Sequence, residues 1–233
     1  MDSSKPTYLL FDFFGTLVDY NPSNTEQDFS SSHQLLKDAG SSISYDDFLE
    51  LGRTAFGDLD GECSRSLDEF SMHDASKIIL LEALGRSGTQ QELDAFVERY
   101  LRDWDSGVSY PDGIDRFLCG LTADYRLAVV SNTHHPRLVP DHLTAMGVAG
   151  LFDTVVLSVE IGRRKPHPEI YRSALTRLGA SPEAAVFIGD TYLADYVGPR
   201  KAGIHALLID PTRSADIADD HRLDSVFDLP DRL

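Results

Sequence analysis

Basic residues are scarce: 21 Lys and Arg stand against 38 Asp and Glu, a net charge of −17 and a pI of about 4.7. Such a field repels nucleic-acid phosphates and anionic membrane surfaces, so polyanionic partners are excluded. An anionic substrate has to be drawn in by a local cation or metal. Cysteine is scarcer still. Cys63 and Cys119 have neither metal-ligand spacing nor a pairing pattern, which excludes a disulfide framework and leaves reduced thiols of a cytoplasmic protein as the expectation. No apolar run approaches the ~20 residues of a membrane-spanning helix, and the N-terminus MDSSKPT is polar where a signal peptide would be apolar. Repeats and low-complexity tracts are absent as well. What is present is a globular composition, 42% hydrophobic over 233 residues, enough for one domain of ordinary size and a smaller one.

Short apolar runs that end at once in polar residues recur at 8–12 (YLLFD), 126–132 (RLAVVSN), 153–158 (DTVVLS), 184–190 (AAVFIGD) and 205–210 (HALLID). Their length and lack of alternation predict five buried parallel strands. Helix-length segments separate the later runs. In 168–179, Ile170, Leu175 and Leu178 fall near helical spacing and Gly179 supplies a C-cap. This alternation predicts an α/β fold built on a doubly wound parallel sheet. Between 21 and 107 the pattern stops, and amphipathic helices are predicted at 25–40, 44–56, 73–85 and 89–104. Thr89 and Glu92 form a capping box there, with Ala95, Phe96, Tyr100 and Leu101 on the buried face. An all-helical domain (21–107) is therefore expected inside a core made of 1–20 and 108–233, the chain returning through SYPDGI (109–114).

Three of the predicted strands end in reactive side chains: Asp12, then Ser131 with Asn132 and Thr133, then Asp190, with Asp195 five residues on and Lys165 just after another strand. Parallel neighbours bring their carboxyl ends to one rim, where ligands of open α/β sheets bind. Each residue alone has a simpler role, as a turn residue, a cap or a solvated charge. Together they demand a cation, because two carboxylates about 4 Å apart repel by roughly 4 kcal/mol at an effective dielectric near 20. An all-oxygen cluster with few ligands suits Mg²⁺, which keeps several waters and takes up phosphate oxygens.

In chain order, FDFFGTLVD (11–19), VVSNT (129–133), Lys165-Pro166 and IGDTYLAD (188–195) resemble the four motifs of the haloacid dehalogenase superfamily, and the helical insert resembles its cap. The resemblance implies a Rossmann-like core and a Mg²⁺-dependent phosphatase acting on a small phosphorylated metabolite through an aspartyl-phosphate. It implies Asp12 as nucleophile, Ser131 and Lys165 as phosphate ligands, and Asn132 and Thr16 at the substrate. It further implies metal held by Asp12, the Phe14 carbonyl and Asp190, with Asp195 binding metal-bound water or Lys165. GDLDGECSRS (57–66) is expected to be a substrate-reading loop of the cap, with Arg53 and Arg65 the nearest basic side chains.

Phe14 departs from the pattern, since phosphatases of the superfamily usually place there a second Asp that protonates the leaving group. General acid–base catalysis contributes about 10²- to 10⁴-fold, so its loss slows turnover without forbidding the intermediate. His134 and His135 are candidate replacements, or else they cap a helix that starts near Pro136. Dehalogenases of the superfamily also carry an aromatic residue at this position, and Ser131-Asn132, Lys165 and Tyr171 resemble their pattern. Against that alternative stand Asp190 and Asp195, where dehalogenases have Ser and Asn and no metal, and the lack of any arginine between Lys5 and Arg53. A catalytically silent binding protein is the third class.

Overall fold

The computed structural model describes residues 6–20 and 27–233. It divides into two compact units, Met1–Asp19 with Ser109–Leu233, and Tyr20–Val108. The first unit is built on Tyr8–Phe11 (β1), and the short Asp19–Tyr20 (β2) falls on the boundary between the units. Val108–Ser109 (β3) falls on the second boundary, and after it come Arg126–Ser131 (β4), Phe152–Leu157 (β5), Ala185–Gly189 (β6), His205–Ile209 (β7) and Arg222–Leu223 (β8). Six of these form a parallel sheet in the order β5-β4-β1-β6-β7-β8, so β1 is central and buried on both faces. Leu9, Leu10 and Phe11 are fully buried, which is why the run is continuously apolar. Register does the rest. Phe11 is level with Val129 and Ile188, so Asp12 comes one step beyond them, and Ser131 and Asp190 one step beyond Asp12.

The five long strands match the predicted runs. Strand β8 has two residues, too few to give a periodic signal, and pairs through Leu208 with Arg222 and Ile209 with Leu223. Its place is fixed by charge. Asp210, at the end of β7, accepts from the backbone N–H of Ala215 and Ser214 and pairs with buried Arg222, whose guanidinium also donates to the carbonyls of Ala215 and Ile217. Asp210 is therefore a strand-end carboxylate in structural use. The Ala215 and Ser214 N–H groups, with Arg222, lower its pKa to about 2. A carboxylate lowered on folding stabilises the fold above its unfolded pKa of about 4 and loses that contribution as pH falls toward 2. Asp210→Asn should accordingly flatten the acid limb of a stability-against-pH curve measured by thermal unfolding. An unchanged limb would show that this network is not what acid breaks.

In the second unit four helices, Ser30–Asp38 (α1), Tyr45–Ser66 (α2), Met72–Leu84 (α3) and Gln90–Asp105 (α4), bury Leu36, Phe48, Met72, Ile79, Leu93, Phe96 and Tyr100 against one another. Thr25 and Glu26, at the start of the helix predicted over 25–40, lie outside the described residues. Capping boxes at Ser71/Asp74 and Thr89/Glu92 open α3 and α4. Asp103 ties α4 to α1, accepting from the hydroxyls of Ser31 and Ser32 and from the Ser32 N–H. One expectation is overturned here. Residues 57–66 are not a loop but the second half of α2, despite Gly57 and Gly61. A helical glycine costs about 1 kcal/mol relative to alanine. Here Phe56, Leu59 and Cys63 recur at helical spacing and pack on Phe70 and Ala75, which outweighs that cost.

The remaining helices flank the sheet: Ile114–Leu121 (α5), Leu138–Ala145 (α6), Ser158–Ile161 (α7), Pro168–Leu178 (α8) and Gly198–Lys201 (α9). Helix α8 presents Ile170, Tyr171, Ala174, Leu175 and Leu178 to Leu10, Val130, Val156 and Phe187. It ends at Gly179 in the left-handed conformation, as its sequence position implies. None of the helices among the described residues is long and apolar enough to cross a membrane.

Candidate active site

Beyond β1 the chain folds back on itself. The Phe13 carbonyl accepts from the N–H groups of Thr16, Leu17 and Val18, while the Gly15 N–H donates to Val18. Phe13 is fully buried and anchors the loop. Phe14 is half-buried, its ring edge-on to Phe13 at 5.0 Å and to His142 at 6.1 Å. Gly15 has φ +79°, and a Cβ there would lie 2.2 Å from Asp190 Oδ2. Glycine is required on both counts, because the conformation is left-handed and the space belongs to a carboxylate from β6.

Lys165 Nζ lies 2.7 Å from Asp12 Oδ1 and 2.7 Å from Asp195 Oδ1, with the lysine almost wholly buried and its ammonium 5.3 Å above the Phe187 ring. Its main chain is held by Asn132, whose Oδ1 accepts from Lys165 N–H at 2.7 Å and whose amide donates to Lys165 carbonyl at 3.2 Å. Asp195 rides on Tyr192–Val197, a single π-helical turn, and its Oδ2 accepts from the Thr191 N–H at 2.9 Å. Gly189 keeps this approach open, since a Cβ there would stand 2.4 Å from Asp195 Cγ.

Asp12, Asp190 and Asp195 each present a carboxylate oxygen, and these oxygens lie within 4.8 Å of one another. Three carboxylates face one ammonium. Burial, then the charge of Asp12, pushes Asp190 up to about 6. Burial also pushes Asp195 up, and Asp12 adds to it against the pull of Lys165. Burial alone would lower Lys165, but the charges of Asp12 and Asp195 outweigh it and raise it. The cluster therefore carries more negative charge than it can neutralise itself, with an all-oxygen donor set that fits a hard divalent cation.

Ser131, at the end of β4, and Thr16 are both buried beside this rim. Asn132 is occupied with Lys165, so its visible work is to position the lysine. Arg53 and Arg65 belong to α2 in the other unit and are exposed, Arg53 paired with Glu50. His134 is half-buried. His135 is buried, its Nδ1 accepting from the Arg137 N–H at 3.4 Å just before α6, which begins at Leu138 without a side-chain cap. Tyr171 donates to the Ala194 carbonyl. His142 was not singled out by the sequence: it packs on Phe13 and Phe14, with its Nδ1 2.9 Å from Tyr110 Oη. No local signal marks it, because its partners come from segments 32 and 128 residues away.

The profile of the family described as haloacid dehalogenase-like hydrolase matches residues 64–209. The chain belongs to that family, whose members are hydrolases. Haloacid dehalogenase-like hydrolase domain-containing protein 3 of Homo sapiens is 36% identical over 163 residues, 65% of this chain and 64% of that protein. A phosphoserine phosphatase of Thermus thermophilus is 32% identical over 134 residues, 57% of this chain and 53% of that protein. The chain thus spans less than two thirds of the length of these curated relatives. Among solved structures, a 2-haloacid dehalogenase from Pseudomonas syringae pv. Tomato superposes with a TM-score of 0.72 at 22% identity, covering 97% of both chains. A phosphatase of the same superfamily from Thermococcus onnurineus gives 0.66 at 23% identity, covering 97% of this chain and 96% of that one. These two similarities speak to the fold.

Proposed function

We propose that this chain is a cytoplasmic, Mg²⁺-dependent phosphatase of small phosphorylated metabolites, with Asp12 as nucleophile. The observation that carries the reading is the three-carboxylate cluster with its single lysine, since a dehalogenase that works without metal has no use for that surplus negative charge. The phosphatases among the relatives support it. Asp12, the Phe14 carbonyl and Asp190 would hold the ion, leaving Asp195 to Lys165. Bound there, Mg²⁺ supplies the positive charge that lets a phosphate dianion approach a carboxylate.

Lys165 bonds one oxygen of Asp12 and so fixes the carboxylate, leaving the other oxygen to attack phosphorus. The new P–O bond forms as the bond to the leaving oxygen breaks, and that oxygen departs with its electron pair. Water then attacks the phosphorus of the aspartyl-phosphate, releasing inorganic phosphate and restoring Asp12. Ser131 and Thr16 would bind phosphate oxygens, and Asn132 keeps Lys165 in register. Phosphate release from a panel of esters should stop in chelator and return with Mg²⁺. Full activity in excess chelator would overturn the reading.

Phe14 gives the reading a second test. With a ring where a proton donor usually stands, kcat/KM should depend steeply on leaving-group pKa, aryl and acyl phosphates outrunning alkyl esters. Phe14→Asp should raise alkyl-ester turnover selectively, up to the ~10²- to 10⁴-fold of a positioned acid. A flat plot for the unaltered protein would mean that another residue already donates the proton. The same ring favours one alternative, a dehalogenase, which would release halide from 2-haloacids with or without metal.

A further inference from the structure

Tyr110 stands where the chain returns to the first unit, in the turn-rich segment 109–114. Pro111 restricts it to extended backbone, and its hydroxyl is tethered, Oη lying 2.9 Å from Nδ1 of His142. Whichever of the two atoms carries the proton, the bond fixes the tyrosine ring. His142, buried on α6, stands nearly perpendicular to Tyr110 at 5.9 Å and 83°, and to Phe14 at 6.1 Å and 86°. Fully buried Phe13 supports both of these neighbours, 5.0 Å from Phe14 and 5.9 Å from His142. Edge-to-face pairs at such separations are a favoured geometry for aromatic rings, so the four side chains form a preorganised row. The row begins beside Asp12 in the chain and ends at Tyr110, which remains 40% exposed. A single exposed tyrosine needs no explanation, but this one is tied through a buried histidine to the ring two residues from the nucleophile.

We propose that Tyr110 is a specificity-determining residue, held by His142 in one row with Phe14 so that the row seats a flat aromatic leaving group, and that the substrates are aryl phosphates. The substrate class rests on the phosphatase reading; Tyr110 itself lies in none of the four motifs. Chemistry divides the site in two. Lys165, the carboxylates, Ser131 and Thr16 suit a phosphoryl group and its ion, which leaves the rings for the rest of the substrate. The polar atoms that the row does carry, Tyr110 Oη and His142 Nδ1, are bonded to each other, so the row offers shape and π-surface and not charge. Two effects then select the same compounds. An aryl oxygen departs with its electron pair more readily than an alkyl oxygen, which suits a site with a ring at Phe14. A flat ring also gains edge or offset contact with the row that a puckered or branched group does not.

Phenyl phosphate and a fluoroalkyl phosphate matched to it in leaving-group pKa separate these two effects, because basicity no longer differs. With the full chain in saturating Mg²⁺, kcat/KM should favour the phenyl ester roughly 3- to 10-fold, mainly through KM. Tyr110→Leu should erase that preference, whereas Tyr110→Phe, which keeps the ring, should retain most of it. A preference that is missing at the outset, or that survives in Tyr110→Leu, would overturn the proposal. Binding gives a readout that needs no turnover. By calorimetry, phenylphosphonate should bind the Mg²⁺-loaded chain roughly 3- to 10-fold more tightly than cyclohexylphosphonate, and Tyr110→Leu should make the two equal. Equal binding to the unaltered chain overturns the aromatic seat, even where esters are turned over and the phosphatase reading stands. If the phosphonates bind with the expected difference while no ester is turned over, the phosphatase reading fails and the seat at Tyr110 remains. Binding of neither phosphonate, without turnover, overturns both.

Discussion

Asp12→Asn is expected to lower phosphate release by on the order of 10⁴- to 10⁶-fold, the range seen when a nucleophile is removed from an assembled site, while leaving the fold intact. The substitution changes one oxygen to nitrogen directly after Leu9, Leu10 and Phe11, which are fully buried, so shape is preserved. Charge changes in the stabilising direction, since one of three carboxylates facing a single lysine is removed. Lys165 keeps Asp195 as its partner at 2.7 Å. The unfolding temperature should therefore hold or rise as activity disappears, a combination that separates a chemical role from a structural one. Intact mass after incubation must show asparagine, because deamidation would restore Asp12. Activity within about 10²-fold of the original, with asparagine confirmed, would remove Asp12 from the nucleophile's role.

That Asp12 could be singled out at all depends on what a strand end looks like in a sequence. A buried run followed at once by a carboxylate, with a glycine within a few residues, marks both the strand and its exit, and this is legible at Phe11-Asp12 and at Gly189-Asp190. The capping boxes of α3 and α4 are equally local, written in residues three apart. Legibility fails where the cause is distant. Asn132 resembles a substrate ligand in its motif, but nothing local shows that its amide also holds the Lys165 main chain 33 residues away. Residues 57–66 read as a loop because two glycines and several polar residues outvoted Leu59 and Cys63, whose partners Phe70 and Ala75 come from beyond the helix. His142 has no signature, since it is defined by an aromatic partner 32 residues away.

Lys165→Met should abolish activity and also destabilise the protein, and the second effect reveals what the lysine does. Asp195 is completely buried, and besides Lys165 its carboxylate accepts from the Thr191 N–H at 2.9 Å. Removing one partner of such a pair strands a buried charge, which typically costs about 3–5 kcal/mol. In a chain of this size that corresponds to a fall of roughly 6–20 °C in the unfolding temperature, at about 2–4 °C per kcal/mol. The paired variant Lys165→Met with Asp195→Asn takes away both charges and leaves an acceptor for Thr191, so it should recover most of the lost stability and none of the activity. Stability and catalysis would then part company at the same two residues. If the paired variant stays as unstable as the single one, the loss comes instead from the lysine stem and its ammonium over the Phe187 ring at 5.3 Å. The site's ion pair would then be a consequence of packing and not its cause. If Lys165→Met keeps normal turnover, the lysine does not orient Asp12, and the geometry that places its Nζ 2.7 Å from both carboxylates has no catalytic meaning.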